Sequence, residues 1–233
     1  MKKNLVLILL FLPMLSFSRM HTVDKWMFGI TFSPEYSYRF LSSNSHYDWL
    51  AELRDEMEIP KFGYTAGINV SYKFRDKFFV SFGTRFSSKG EATKKYDLIY
   101  FSSPGPGDPV AMRTNYSYGF CEIPLTVNYQ LFDSSSFFTS LGISADLPVM
   151  EKHKNIFIKS DGSESHSSTF SLHSSAKMGM TAMVGIGYYF NTGKNYFLKT
   201  EPFFKCNIVS EGGSSVKEYF YSFGLEIGFY LGR

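Results

Sequence analysis

The chain has 233 residues, with 24 Lys and Arg against 21 Asp and Glu, a length that suits one domain of medium size. Charge this close to balance gives no case for nucleic acid as a partner, and two cysteines are too few for a disulfide framework. The aromatic share is 18%, from 25 Phe, 16 Tyr and 2 Trp, and any fold assigned to the chain must place those rings.

At the N-terminus, Lys2 and Lys3 precede a short apolar run from Leu5 to Leu12, and Ser16-Phe17-Ser18 supplies small residues for cleavage. Residues 1–18 therefore read as a secretory signal peptide, because the apolar run is too short to span a bilayer. No cysteine follows the run, so a lipid anchor is not expected. Residues 19–25 form a short periplasmic segment and residues 26–233 the folded domain. Past the signal no apolar stretch reaches the ~18 residues of a membrane helix. A membrane-embedded mature chain would have to cross as a closed barrel.

From Trp26 onward apolar residues recur at every second position, the strand period. The first run places Trp26, Phe28, Ile30, Phe32, Tyr36 and Phe40 on one face and Gly29, Ser33, Glu35, Ser37 and Arg39 on the other. The second, from Lys61 to Phe74, sets Phe62, Tyr64, Ile68, Val70 and Tyr72 against Gly63, Gly67, Asn69 and Lys73. After an Arg75-Asp76-Lys77 turn, Phe78, Val80, Phe82 and Phe86 oppose Ser81, Gly83 and Arg85. The fourth run changes phase: Cys121, Ile123, Leu125 and Val127 are apolar, but so are Tyr116, Tyr118 and Phe120 on the other parity. A bulge near Phe120-Cys121 is predicted to restore one apolar face. The fifth run pairs Leu141, Ile143 and Leu147 with Gly142 and Asp146. The sixth sets Met180, Val184 and Ile186 against Lys177, Gly185 and Gly187. The seventh sets Leu198, Phe204 and Cys206 against Lys199, Glu201 and Lys205. The eighth sets Tyr221, Phe223, Leu225, Ile227 and Phe229 against Gly224, Glu226 and Gly228.

Eight alternating runs predict an all-β fold, an eight-stranded antiparallel transmembrane β-barrel with up-and-down meander topology. The connections alternate between short turns and long loops, the latter near residues 41–60, 88–114, 150–175 and 209–217. That asymmetry puts short turns and both termini in the periplasm and the long loops outside. In the first loop, "YDWLAELRDEME" predicts a short helix capped by Asp48, with Trp49, Leu53 and Met57 along one side.

The rings on the apolar faces far exceed what a narrow eight-stranded interior can hold. They must face lipid, which leaves the glycine-rich polar parity to line the lumen. The inward charges are then Glu35, Arg39, Lys61, Lys73, Arg85, Glu122, Asp146, Lys177, Lys199, Glu201, Lys205, Glu218 and Glu226. The near-equal mix of signs predicts a lattice of paired charges across the lumen. The histidines, at 21, 46, 153, 166 and 173, fall outside the predicted strands with no metal-ligand spacing, so neither a metal, a cofactor nor a catalytic site is expected. Cys121 and Cys206 point to lipid on nonadjacent strands and are expected to stay free.

"FCEIPLTVNY" (Phe120–Tyr129) and "FGLEIGFYL" (Phe223–Leu231) carry a family resemblance. The first is similar to a Tyr-x-Glu-Ile-Pro-Leu strand and the second to a closing strand of the small outer-membrane barrels called porin-family or PorT-like, with the architecture of the OmpX and OmpA membrane domains. The resemblance spans residues 26–233. Such barrels often end on an aromatic residue read by the assembly machinery; here Gly232-Arg233 follows Leu231, so that recognition is expected to rest on Phe229 and Leu231. The resemblance implies an integral protein of the outer membrane. Its expected partners are outer-membrane lipid, the barrel-assembly machinery, and an extracellular ligand or a secretion-system component. Three roles follow: a structural or binding barrel with a plugged lumen, a narrow porin-like channel, or an accessory to protein secretion.

Overall fold

The computed structural model describes residues 25–232, apart from 102, 104, 106, 133–135, 173–177, 193–194 and 211–215. The signal-peptide segment and Lys177 fall outside the described residues. In chain order the elements are β1 (Trp26–Ser43), α1 (Asp48–Met57), β2 (Glu58–Arg75), β3 (Phe78–Lys89), β4 (Glu91–Thr93), β5 (Tyr96–Asp97), β6 (Pro109–Gln130), β7 (Phe137–Lys159), β8 (Glu164–Leu172), β9 (Gly179–Asn191), β10 (Tyr196–Val209) and β11 (Val216–Gly232).

Eight long strands form a ring in which every neighbour is antiparallel: β1, β2, β3, β6, β7, β9, β10 and β11. The ring closes where Phe28 of β1 lies opposite Leu231 of β11 and Phe40 opposite Tyr219. Period-two alternation drives this arrangement, since closure leaves no unpaired edge in the ring. The outward parity exposes Phe28, Ile30, Phe32, Phe62, Ile68, Leu141 and Phe229, among others. An apolar belt of that extent is stable against hydrocarbon and not against water.

Three details depart from the sequence reading. First, the register break falls at Gly119/Phe120, but the extra residue is Val149 on β7; β6 keeps one phase against β3. Tyr118 and Phe120 therefore turn inward, and Phe120 is fully buried against Phe220. Second, the connections near 88–114 and 150–175 carry strands. β6 and β7 pair beyond the ring as far as Pro109 and Lys159, and β8 adds a third strand to that extension. Its turn is Ser160-Asp161-Gly162-Ser163, with Gly162 at φ +83 and the Ser163 amide donating to Asp161 Oδ1 at 2.8 Å. An Asp-Gly pair between alternating residues is a hairpin signal. Third, helix α1 forms as predicted, but Asp48 does not cap it. Its carboxylate accepts a hydrogen bond from Ser43 Oγ at 2.6 Å.

Candidate functional site

The buried centre of the molecule is the lumen, filled in tiers. At the short-turn end, Met27, Phe79, Phe138, Tyr189, Phe197 and Tyr230 pack into an apolar floor. The Tyr230 hydroxyl accepts a hydrogen bond from Asn69 Nδ2 at 3.2 Å. Each floor residue sits at a strand end next to an outward neighbour, as in Phe78-Phe79, Phe137-Phe138 and Phe229-Tyr230.

Above the floor lie two chains of buried ion pairs. In one, Glu226 accepts from Arg85 at 2.7 Å and from Lys199 at 2.8 Å, and Lys199 also pairs with Glu201. In the other, Lys205 bridges Glu35 at 2.9 Å and Glu122 at 3.3 Å, and Lys89 joins Asp146 at 3.4 Å to Glu122 at 4.0 Å. Hydroxyls complete the shells: Ser222 donates to Glu35 at 2.8 Å, Ser144 to Asp146 at 2.7 Å and Ser140 to Glu201. Charges removed from water need this many partners to be tolerated. The ammonium of Lys89 also lies 4.2 Å from the Phe120 ring centre, a cation–π contact. A cavity of about 20 Å³ remains among Asn69, Ser81, Arg85, Ser140, Lys199 and Glu226. That is room for about one water molecule.

At the long-loop end a third cluster closes the mouth. Arg39 pairs with Glu58 at 2.5 Å, with Glu91 at 3.2 Å and with Glu218; Arg54 on α1 reaches Glu218 at 3.0 Å and Glu58 at 3.3 Å.

Of the predicted lumen charges, Glu35, Arg39, Arg85, Glu122, Asp146, Lys199, Glu201, Lys205, Glu226 and Glu218 are brought into these clusters. Lys73 is not. It lies at the short-turn rim, 5.8 Å from the Phe79 ring centre. Lys61 instead donates to the Tyr116 carbonyl at 2.9 Å and to Ser117 Oγ. The sequence reading missed Lys89, Glu91, Glu58 and Arg54. Lys89 and Glu91 continue the inward parity of Arg85 and Ser87 past the assigned end of that run. Glu58 is brought inward by a register slip of β2 between Tyr64, opposite Ser88, and Pro60, opposite Glu91. The histidine assignment also needs correction: His153 lies on β7 and His166 on β8. They project from opposite faces of that hairpin, since His153 faces Thr169 and His166 faces Ile156. His153 pairs with Glu151 at 2.5 Å, and His173 falls outside the described residues.

The mouth cluster sets two guanidinium groups against three carboxylates, one negative charge in excess. Glu91 carries the consequence. It stands on β4, outside the membrane-crossing ring, and its Oε2 has no hydrogen-bond partner among the described residues. Burial pushes its carboxyl up to about 7; Arg39 and Arg54 oppose the rise and Glu58 and Glu218 add to it. A carboxyl raised in this way takes up a proton on folding. Its stabilisation is complete below the ordinary value of 4.5 and is lost as pH rises through about 7. Thermal unfolding in detergent should therefore show higher stability at pH 5 than at pH 8. Glu91→Gln should remove up to about 3 kcal/mol of that difference. Identical pH profiles for the two proteins would contradict the assignment.

The ring, its lipid-facing belt and its polar lumen are the features of a transmembrane β-barrel. The outer membrane protein beta-barrel domain family matches residues 25–232. The chain belongs to that family. Among solved structures it is similar to the neisserial surface protein NspA, at 14% identity and a TM-score of 0.40, with 91% of this chain and 100% of that one covered. It is also similar to Ail, the attachment invasion locus protein of Yersinia pestis, at 9% identity and a TM-score of 0.40, covering 89% and 100%. The Escherichia coli outer membrane protease OmpT matches at 8% identity and a TM-score of 0.41, covering 94% and 100%. No curated protein matches the chain. Its family membership makes the barrel an outer-membrane protein.

Proposed function

We propose that this barrel is closed to solutes and acts as a structural and binding protein through the surface formed by its long connections, without catalytic or transport chemistry in the lumen. The observation that supports this is the filling of the bore: an apolar floor, two chains of buried ion pairs and the Arg39 cluster stand one above another, leaving a middle cavity of about 20 Å³. A small solute needs a continuous wet path, and eight strands enclose little beyond their own side chains. The short turns then face the periplasm, reached after removal of residues 1–18, and the β6–β7–β8 extension faces outward from the cell. The inward carboxylates serve the fold, since each is engaged by a cation or a hydroxyl.

Proteoliposomes carrying the refolded chain should resist swelling in iso-osmotic solutions of small sugars and amino acids, like protein-free liposomes. Rapid swelling would replace this reading with the narrow porin-like channel.

A further inference from the structure

The outward face of the β6–β7–β8 extension is graded from apolar to cationic. Val149 shifts the phase of β7, so Met150, Lys152 and Lys154 continue the outward parity on which Leu147 faces lipid. The inward parity is marked independently by Tyr116, whose ring meets His153 at 4.8 Å, and by Tyr118, which donates to Glu91. On β8, Leu172 stands opposite Met150 and Phe170 opposite Lys152. Both are largely exposed, Phe170 at 56% and Leu172 at 73%. On the other side Ser117 of β6 stands opposite Lys152 and receives the Lys61 ammonium.

Apolar side chains thus lie next to the lipid belt, and three ammonium groups, Lys152, Lys154 and Lys61, follow immediately above. Neither Lys152 nor Lys154 forms an ion pair with a carboxylate among the described residues. The one acid on this face of β8, Glu164, is taken by Arg113 at 3.2 Å. Lys152 is five residues beyond Leu147, a rise on the order of 10 Å for a tilted strand, which is the depth of lipid headgroups.

We propose that this face is a binding site for a phosphate-bearing lipid headgroup of the surrounding leaflet, with Lys152 and Lys154 on the phosphate and Phe170 and Leu172 among the upper acyl chains. Charge complementarity and continuity with the lipid-facing belt select a lipid over a soluble anion: a free phosphate would have no use for the two exposed apolar side chains beside the lysines. Clustered lysines at a membrane surface attract anionic headgroups, each contributing about 1 kcal/mol. The inference does not depend on whether the lumen conducts.

The test uses the folded barrel in neutral detergent, with retained lipids counted by native mass spectrometry. Phosphatidic acid should be retained in preference to phosphatidylcholine. Lys152→Gln with Lys154→Gln should weaken phosphatidic acid binding roughly 30-fold, the equivalent of about 2 kcal/mol. Phe170→Ser should weaken lipid binding and leave any inorganic phosphate binding unchanged. All three positions are on an external face, and heat-modifiable gel migration will confirm that the variants fold. Equal retention of phosphatidylcholine, or unchanged affinity in the lysine variant, would overturn the proposal. Inorganic phosphate binding as tightly as phosphatidic acid would assign the lysines to a soluble anion and overturn the lipid site.

Discussion

Replacing Glu226 with leucine should destabilise the barrel by roughly 3–5 kcal/mol, the cost of breaking a buried ion pair from one side. Glu226 is 3% exposed and accepts from two cations at once, Arg85 at 2.7 Å and Lys199 at 2.8 Å. After the change Lys199 keeps Glu201, and among the described residues Arg85 keeps a hydrogen bond to Asn69 Oδ1 at 3.2 Å. A guanidinium group is then left in the lumen without an ion-pair partner among the described residues, with Glu122 and Glu201 near it but not in contact. The signature is an urea midpoint in detergent well below that of the parent, and heat-modifiable migration lost at lower temperature. A second variant separates charge from packing. Removing the stranded cation as well, in Arg85→Met with Glu226→Leu, should recover most of the loss, because an apolar pair of similar volume replaces a buried ion pair at little cost. A double variant as unstable as the single one would assign the effect to packing.

Truncation of Tyr230 to alanine should cost about as much, roughly 3–5 kcal/mol, by a different route. The ring is 1% exposed and completes the apolar floor with Tyr189 and Phe138. It lies over two glycines: a Cβ at Gly29 would come within 2.5 Å of ring carbons, and one at Gly228 within 2.6 Å. The glycines make room for the ring, so Gly29→Val should destabilise by collision where Tyr230→Ala destabilises by a void. The Tyr230 change also removes the hydroxyl that Asn69 donates to. It leaves the ion-pair tiers in place, so the closed bore should survive in the folded fraction. A stability unchanged by Tyr230→Ala would show that the floor is not packed as described.

The eight-strand ring was legible because lipid on one side and a polar lumen on the other impose strict alternation, and Phe28, Ile30 and Phe32 against Gly29, Thr31 and Ser33 show it directly. The same logic placed Glu35, Arg85, Lys199, Lys205 and Glu226 inside. It could not pair them, since Lys205 of β10 meets Glu35 of β1 and Glu122 of β6 across the bore, a relation no local pattern records. The apolar floor was missed because its rings hide beside outward ones; the doublets Phe78-Phe79, Tyr188-Tyr189 and Tyr196-Phe197 were the available signal. Phe120 misled for the related reason that an inward aromatic looks like a phase error. The β7–β8 hairpin lies in the connection near 150–175, which lacks a strict apolar alternation, although Asp161-Gly162 marks its turn. The mouth cluster needed Glu58, whose parity is set by a register slip of β2 that leaves no mark in composition.

Single-channel recording in planar bilayers tests the closed lumen most directly. The account predicts that the purified, folded barrel inserts and leaves the membrane electrically silent. Stepwise conductance that scales with salt concentration would contradict it, because a steady ion current requires a wet path through the floor, the Glu226 and Lys205 tiers and the Arg39 mouth together.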